Sequence, residues 1–412
     1  MADIRPFSAI RPRADLAQEF AALPYDVFDE KEARLFVNEH PGSFLAIDRP
    51  ETQFPEGQDP YAPEVYEKAR DLLWERVDRG DLIRESAPAY YLYEQTWRGR
   101  TQTGIVGLAS IDDYQSGIIK RHENTRREKE EDRVRHVDVC NAQTGPIFLC
   151  FRRDETIAGV VKACKSGQPL YEFTSHDGTK NRIWIIEKPN DITLVRDAFS
   201  AMNAIYIADG HHRCASAVRV GLARREAAGG SGERESDHFL SILFPEDELK
   251  ILDYNRVVKD LNGRSKGEFM AAITGAFYAE ESDTPVSPAV KGEFGMYLDD
   301  QWYLLKARDA VRREDAVEGL DVALLQRELL DPILGIRDPK TDPRIDFVGG
   351  VRGLSELERR CHTDMRVAFS LHPTSLSELF AVADEGRLMP PKSTWFEPKL
   401  LSGLFIHDIK GD

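Results

Sequence analysis

Apolar residues recur along the chain at helical or strand spacing, and the stretches between them are sharply polar. From Tyr61 to Asp81, Val65, Ala69, Leu72, Leu73 and Val77 fall near a 3.6-residue period and predict a helix that stops at Gly80. Ala89 to Trp97 and Thr103 to Ser110 predict two strands, with a hairpin at Arg98-Gly99-Arg100. Arg126 to His136 is almost wholly ionisable apart from Val134. With Glu131 and Arg135 at i, i+4, it predicts a helix with a solvated face. Ile147 to Phe151 reads as a strand, Ile157 to Ser166 as a helix, and Leu170 to Thr174 with Arg182 to Ile186 as a strand pair. Ile192 to Met202 predicts a helix and His238 to Phe244 a strand. Gly229-Gly230-Ser231-Gly232 predicts a mobile surface loop. Residues 1–60, rich in proline, predict an irregular wrapping segment with a stiff point at Leu23-Pro24-Tyr25-Asp26-Val27.

The alternation continues in the second half. Lys266 to Phe277, Val322 to Leu330 and Leu376 to Ala383 predict helices. Gly295 to Leu298, Trp302 to Leu305, Arg344 to Gly350, Val367 to Leu371 and Gly403 to His407 predict strands. The pattern gives an α/β (α+β) protein of two domains, a core over residues 1–258 and a smaller α/β domain over 259–412.

One stretch combines a buried strand with reactive side chains. Ala204 to Ala208 is small or apolar throughout and predicts a strand covered on both faces. Asp209-Gly210-His211-His212-Arg213 follows, and Cys214 to Ala228 predicts a helix with Ala215, Val218 and Leu222 inward. A strand-to-helix turn presents backbone N–H groups and the positive end of the helix, which suits a phosphate. Arg213 adds a bidentate fork, and Asp209 a carboxylate able to take a proton or hold Mg²⁺. Upstream, His122, Glu123, Asn124 and Thr125 precede the charged helix. Downstream, Lys392-Ser393-Thr394 after two prolines offers a further phosphate contact, and Arg256 a clamp for a substrate carboxylate.

Charge narrows the partners. The net charge of −16 makes a surface broadly attractive to nucleic acid unexpected. No stretch approaches the roughly 18 apolar residues of a membrane span, and the first residues lack the apolar core of a signal peptide. Five scattered cysteines without a CxxC pair argue against a disulfide framework or a structural zinc site, so the chain is expected to be cytoplasmic. GxxxxGK[ST] and the protein-kinase motifs are absent.

Taken together, Leu23 to Val27, Arg121-His122-Glu123, Ala208 to Arg213, Arg344-Ile345-Asp346-Phe347 and Pro390-Pro391-Lys392-Ser393-Thr394 resemble the domain-of-unknown-function family "ten-fifteen" over nearly the whole chain. The Asp209 to Arg213 box alone is similar to that of ParB and sulfiredoxin-like proteins, among them kinases of free serine. That resemblance implies a ParB/sulfiredoxin-like core with a nucleotide or phosphate seated on the helix start. It also implies a carboxylate that deprotonates the substrate hydroxyl.

The resulting expectation is a small-molecule kinase that phosphorylates a hydroxyl, most plausibly that of free L-serine. Glu123, Asp209 and His212 are the catalytic candidates. Gly210, His211, His212, Arg213, His122 and Lys392 are expected to bind phosphate or nucleotide, Arg256 and Asn124 the substrate, and Asp209 the Mg²⁺. The donor is ATP, ADP or pyrophosphate, and a homodimer is an allowed assembly. The alternatives are a ParB-like nucleotide-binding regulator and a metal-dependent phosphohydrolase using Asp209, His211, His212 and His122.

Overall fold

The hairpin forms as its sequence directs. Tyr90–Trp97 and Arg100–Ser110 pair antiparallel, with Trp97 opposite Arg100. Their two-residue turn, Arg98-Gly99, has both φ angles positive, 46° and 78°, the twist that suits a right-handed strand pair. The computed structural model describes residues 1–125, 127–230 and 233–411. Arg126 of the charged segment and Ser231-Gly232 of the expected loop lie outside them.

The chain divides into two compact units, Met1–Leu249 with Pro398–Asp412, and Lys250–Glu397. The expected boundary after residue 258 falls at the end of a strand of the second unit, Tyr254–Val258. Gly403 to His407, expected as the closing strand of the second domain, belongs to the first unit. Ile406 bridges Ile10 there, and His407–Asp408 pairs with Ala142–Gln143. The reason is apolar packing: Ile406 joins Ile10, Phe20, Phe44 and Leu73 in one buried cluster.

The first unit is built on a mixed nine-stranded sheet. In chain order its strands are β1 (Ile4–Arg5), β2 (Tyr90–Trp97), β3 (Arg100–Ser110), β4 (Ile119–Lys120), β5 (Ile147–Phe151), β6 (Tyr171–Thr174), β7 (Lys180–Ile186), β8 (Ile205–Asp209) and β9 (His238–Pro245). The spatial order is β4-β8-β5-β9-β3-β2-β7-β6, with β1 beside β3. β8 runs parallel to β4 and antiparallel to β5. The helices are α1 (Arg127–Cys140), α2 (Glu155–Cys164), α3 (Pro189–Ser200) and α4 (His211–Ala227). Ile157 and Val160 of α2, Val195 and Phe199 of α3, and Cys214 and Val218 of α4 share one core with Leu149, Ile207, Phe239 and Leu243 of the sheet. Burying that many Leu, Ile, Val and Phe side chains, each favourable by about 1.5–3 kcal/mol, is the main force holding the sheet and helices together.

The amino-terminal segment is less irregular than expected. Glu30–Glu39 is a helix with a full capping box between Asp29 and Glu32. No helix of the described residues is long and apolar enough to cross a membrane.

The second unit is a six-stranded antiparallel sheet: β10 (Tyr254–Val258), β11 (Phe277–Ser282), β12 (Glu293–Leu298), β13 (Gln301–Ala307), β14 (Ile345–Gly349) and β15 (Val367–Leu371), in spatial order β11-β13-β12-β15-β10-β14. Two elements differ from expectation. The helix from Lys266 ends at Ile273, and Phe277 opens a strand instead. The helix expected over Val322 to Leu330 is α-helical only across Asp321–Leu325, then widens to a π turn at Gln326–Leu330.

Candidate functional site

β8 does not end flush with its neighbour. Tyr206 and Ile207 face Cys150 and Leu149 in register, but Asp209 faces Phe148, so one extra residue bulges out of β8. A bulge re-aims the side chains beyond it, and here it carries Asp209 to the sheet edge. Gly210 follows with φ +88° and is the residue from which α4 starts. A side chain there would face nothing closer than 3.7 Å, so the backbone conformation is what calls for glycine. The first turn of α4 then leaves the N–H groups of His211, His212 and Arg213 without intrahelical acceptors.

Asp209 is doubly held. Its Oδ1 accepts from the Gly210 N–H at 2.8 Å, and its Oδ2 meets Lys399 Nζ at 2.8 Å. Loss of surrounding water works to raise its pKa. Lys399, Arg213 and the Gly210 N–H outweigh that and hold the carboxyl well below the usual range. The side chain keeps 44% of its surface accessible, so an ionised carboxylate stands at an open rim.

Arg213 donates through Nη1 to the Pro146 carbonyl at 3.2 Å. Its Nη2 lies 3.7 Å from Asp26 Oδ1, and its guanidinium sits over the Tyr25 ring. Arg133 stacks on the same ring at 4.1 Å and is paired with Asp132 at 2.9 Å. The stiff Leu23–Val27 segment is therefore part of the site's wall.

His122 follows β4, which lies alongside β8, and its ring meets that of His211 edge-to-face with centroids 4.5 Å apart. Both are buried. Burial drives the His122 pKa down to about 4, against the opposing pull of Asp209 and a hydrogen bond to the Ile207 backbone. His211 is pushed well below its ordinary value by burial and by His122. Its Nε2 has no hydrogen-bond partner among the described residues. Both rings are thus neutral near pH 7, and a buried nitrogen without a partner is costly unless something supplies one.

His212 stands on the first turn of α4, partly exposed, and its carbonyl accepts from Ser216 Oγ at 2.7 Å. Glu123 directly follows His122 and is partly buried, whereas Asn124 is exposed. Thr125 Oγ1 donates to Glu130 Oε2 at 2.7 Å, and Glu130 is in turn paired with Arg219 of α4 at 2.9 Å.

The structure thus brings Asp209, Gly210, His211, Arg213 and His122 together, with His212 and Glu123 adjacent in sequence. Lys399 and Arg133 join them without having been foreseen, and Tyr25 joins them from the stiff Leu23–Val27 stretch. Arg256 and Lys392 belong to the second unit. There the buried Arg256 guanidinium donates to the Tyr254 carbonyl and, at 3.0 Å, to that of Lys392. Burial lowers its pKa to about 10. Lys392 itself has φ +59° and lies over the Tyr254 ring.

Mg²⁺ is usually held by one or two carboxylates plus the phosphates it accompanies. Asp209 is one such carboxylate, and Lys399 already occupies its Oδ2. Among the described residues no three His, Cys, Asp or Glu side chains gather as a metal site of their own. Cys214 is buried in α4, where burial raises its thiol pKa.

The sequence model of a family described as a protein of unknown function (DUF1015) matches residues 4–323. No curated protein matches the chain. Among solved structures, a mutant of free serine kinase in complex with AMP is 12% identical with a TM-score of 0.36, covering 70% of this chain and 86% of its own. SbnI with a C-terminal truncation, from Staphylococcus aureus, is 11% identical with a TM-score of 0.36, covering 72% and 85%. A conserved hypothetical protein from Pyrococcus furiosus is 13% identical with a TM-score of 0.32, covering 70% and 89%.

Proposed function

As the chain belongs to the DUF1015 family, whose function is unknown, we propose that the turn from Asp209 to Arg213 is the phosphate seat of a small-molecule kinase. The reading rests on one observation above all. An ionised carboxylate at the bulged end of β8 shares its place with Lys399 at 2.8 Å, directly before the N-terminus of α4. Phosphoryl transfer asks a protein mainly for positioning and for charge to meet the phosphate oxygens. Lys399 and Arg213 supply two cations, and the first turn of α4 supplies N–H donors. The unpartnered Nε2 of the neutral His211 ring can accept a donor from a bound group, or donate if the proton sits there.

In this reading Asp209 would hold Mg²⁺, whose charge would offset that of the transferring phosphoryl group. The acceptor hydroxyl, too weak an acid to ionise at neutral pH, needs a base. Glu123 is the preferred one, because it stands next to the His122–His211 pair and outside the turn. Free L-serine is the preferred acceptor, on the resemblance of the box. The donor is ATP, ADP or pyrophosphate, all of which present a terminal phosphate.

The test is formation of O-phosphoserine from L-serine and Mg²⁺ with each donor in turn. Phosphoserine made by the wild type and lost in Arg213→Ala supports the proposal. Donor binding without product from any small hydroxyl compound would leave a nucleotide-binding regulator as the better reading. Release of phosphate without an acceptor would favour a phosphohydrolase.

A further inference from the structure

At the far end of the first unit's sheet lies a cavity of about 470 Å³, within the size of small-molecule sites. Its walls include Ile105 of β3, Phe151 at the end of β5, Leu243 of β9, and Ile157 and Val161 of α2. Asp209 pairs with Phe148, near the start of β5. The cavity begins three residues further along that strand, roughly 10 Å away at 3.3 Å per residue. It is separate from the turn described above.

One end of the cavity is polar, and its polar groups are unevenly satisfied. Glu94, 1% exposed, is held by both Lys165 and Arg182. Lys165 also donates to Thr103 Oγ1 at 3.2 Å. That engages two of the three N–H donors of Lys165 and leaves one. Glu248 accepts the Thr103 N–H through Oε2 at 2.5 Å, while its Oε1 has no partner among the described residues. Partial burial raises the Glu248 pKa. Lys162, also on the lining, makes no ion pair among the described residues.

We propose that this cavity binds a free amino acid with a large apolar side chain, such as leucine or phenylalanine. Each part of the ligand answers a part of the lining. The hydrocarbon walls take the side chain, since moving such a group out of water against apolar surface is favourable. The spare donors of Lys165 and Lys162 take the carboxylate, and the open oxygen of Glu248 takes the ammonium. A hydrocarbon alone would give those charged groups nothing to pair with, and a simple anion would leave the walls uncovered. This inference does not depend on the kinase reading.

The experiment is calorimetric titration of the full chain with L-leucine and L-phenylalanine. Alongside them run 4-methylpentanoate, which lacks the ammonium, 3-methylbutylamine, which lacks the carboxylate, and L-serine. One-to-one binding of leucine or phenylalanine is expected. Loss of either head group, or Glu248→Gln, should weaken it roughly ten- to a hundredfold, the value of one charged hydrogen bond. Ala158→Trp, on the lining of α2, should block the cavity and abolish binding while the circular dichroism spectrum stays native. If that variant fails to fold, Glu248→Gln carries the test alone. The proposal is overturned if neither amino acid binds, if 4-methylpentanoate binds as tightly as leucine, or if binding survives both substitutions unchanged.

Discussion

Asp209 and Lys399 are joined by a 2.8 Å ion pair across 190 residues of sequence. The pair closes the end of a strand with a residue from the last stretch of the chain. Its lysine is largely covered, with 19% of the side chain accessible, whereas the aspartate faces solvent.

Lys399→Met should therefore act on the site more than on the fold. Without the ammonium the Asp209 carboxyl loses the largest influence lowering its pKa, and a phosphate loses a cation. We expect at least tenfold weaker binding of inorganic phosphate or nucleotide by calorimetry, with a melting temperature lowered only slightly, because an ion pair open to solvent on its carboxylate side contributes about 0–1 kcal/mol. Phosphate affinity equal to the wild type would remove Lys399 from the site.

The His122–His211 pair predicts an acid-sensitive first unit. An unfolded histidine binds its proton near 6.5, whereas folded His122 resists it until about 4. Between those values the unfolded state carries the extra proton, so acidification favours unfolding. The His122 contribution is complete above about pH 6.5 and is lost progressively as the pH falls towards 4. Urea midpoints measured at pH 7 and pH 4.5 should differ, and the difference should shrink in His122→Gln. An identical pH dependence in that variant would assign the sensitivity elsewhere.

Gly210→Ala tests the turn. Alanine in the left-handed region costs about 1–2 kcal/mol, and no atom within 3.7 Å adds a clash. Thermal unfolding should shift downward by an amount matching that cost, and phosphate affinity should fall because the start of α4 must rotate. A variant as stable as the wild type would mean that the turn relaxes at no cost.

Glu123→Gln separates binding from chemistry. If Glu123 is the base, turnover should drop by roughly 10²–10⁴-fold while nucleotide affinity stays within a factor of two or so. Steady-state rates of phosphoserine formation, read beside calorimetric titrations, give both numbers. Wild-type turnover would reassign the base.

Much of the fold was legible from periodicity and punctuation. The hairpin at Arg98-Gly99, the strand Ile147–Phe151 and the turn from Asp209 into α4 all follow from local chemistry that tertiary contacts reinforce. The misplaced pieces share a different cause. Gly403 to His407 has the composition of any short strand, and only its packing on Ile10 and Phe44 decides which unit it joins. Phe277 looked like the end of a helix because apolar residues near a helix terminus fit either period.

At the site, Asp209, His211 and Arg213 announce themselves as neighbours in one turn. Lys399 gave no such signal, since a lone lysine after proline is ordinary, and a contact spanning 190 residues leaves no local pattern. Arg256 was read from its charge, and charge does not reveal that backbone carbonyls would absorb the guanidinium.

The return of Pro398–Asp412 to the first unit has a consequence for the order of events during synthesis. Translation delivers β8 and the start of α4 long before it delivers Lys399, with the whole of Lys250–Glu397 in between. Until then Asp209 has Arg213 near it but not the Lys399 ammonium, and the cluster around Ile10 and Phe44 lacks Ile406. A chain released early would hold most of the sheet yet neither the charge balance at the turn nor the seal on that cluster. In the proposed phosphate seat, then, one of the two cations arrives only after the whole second unit has been made.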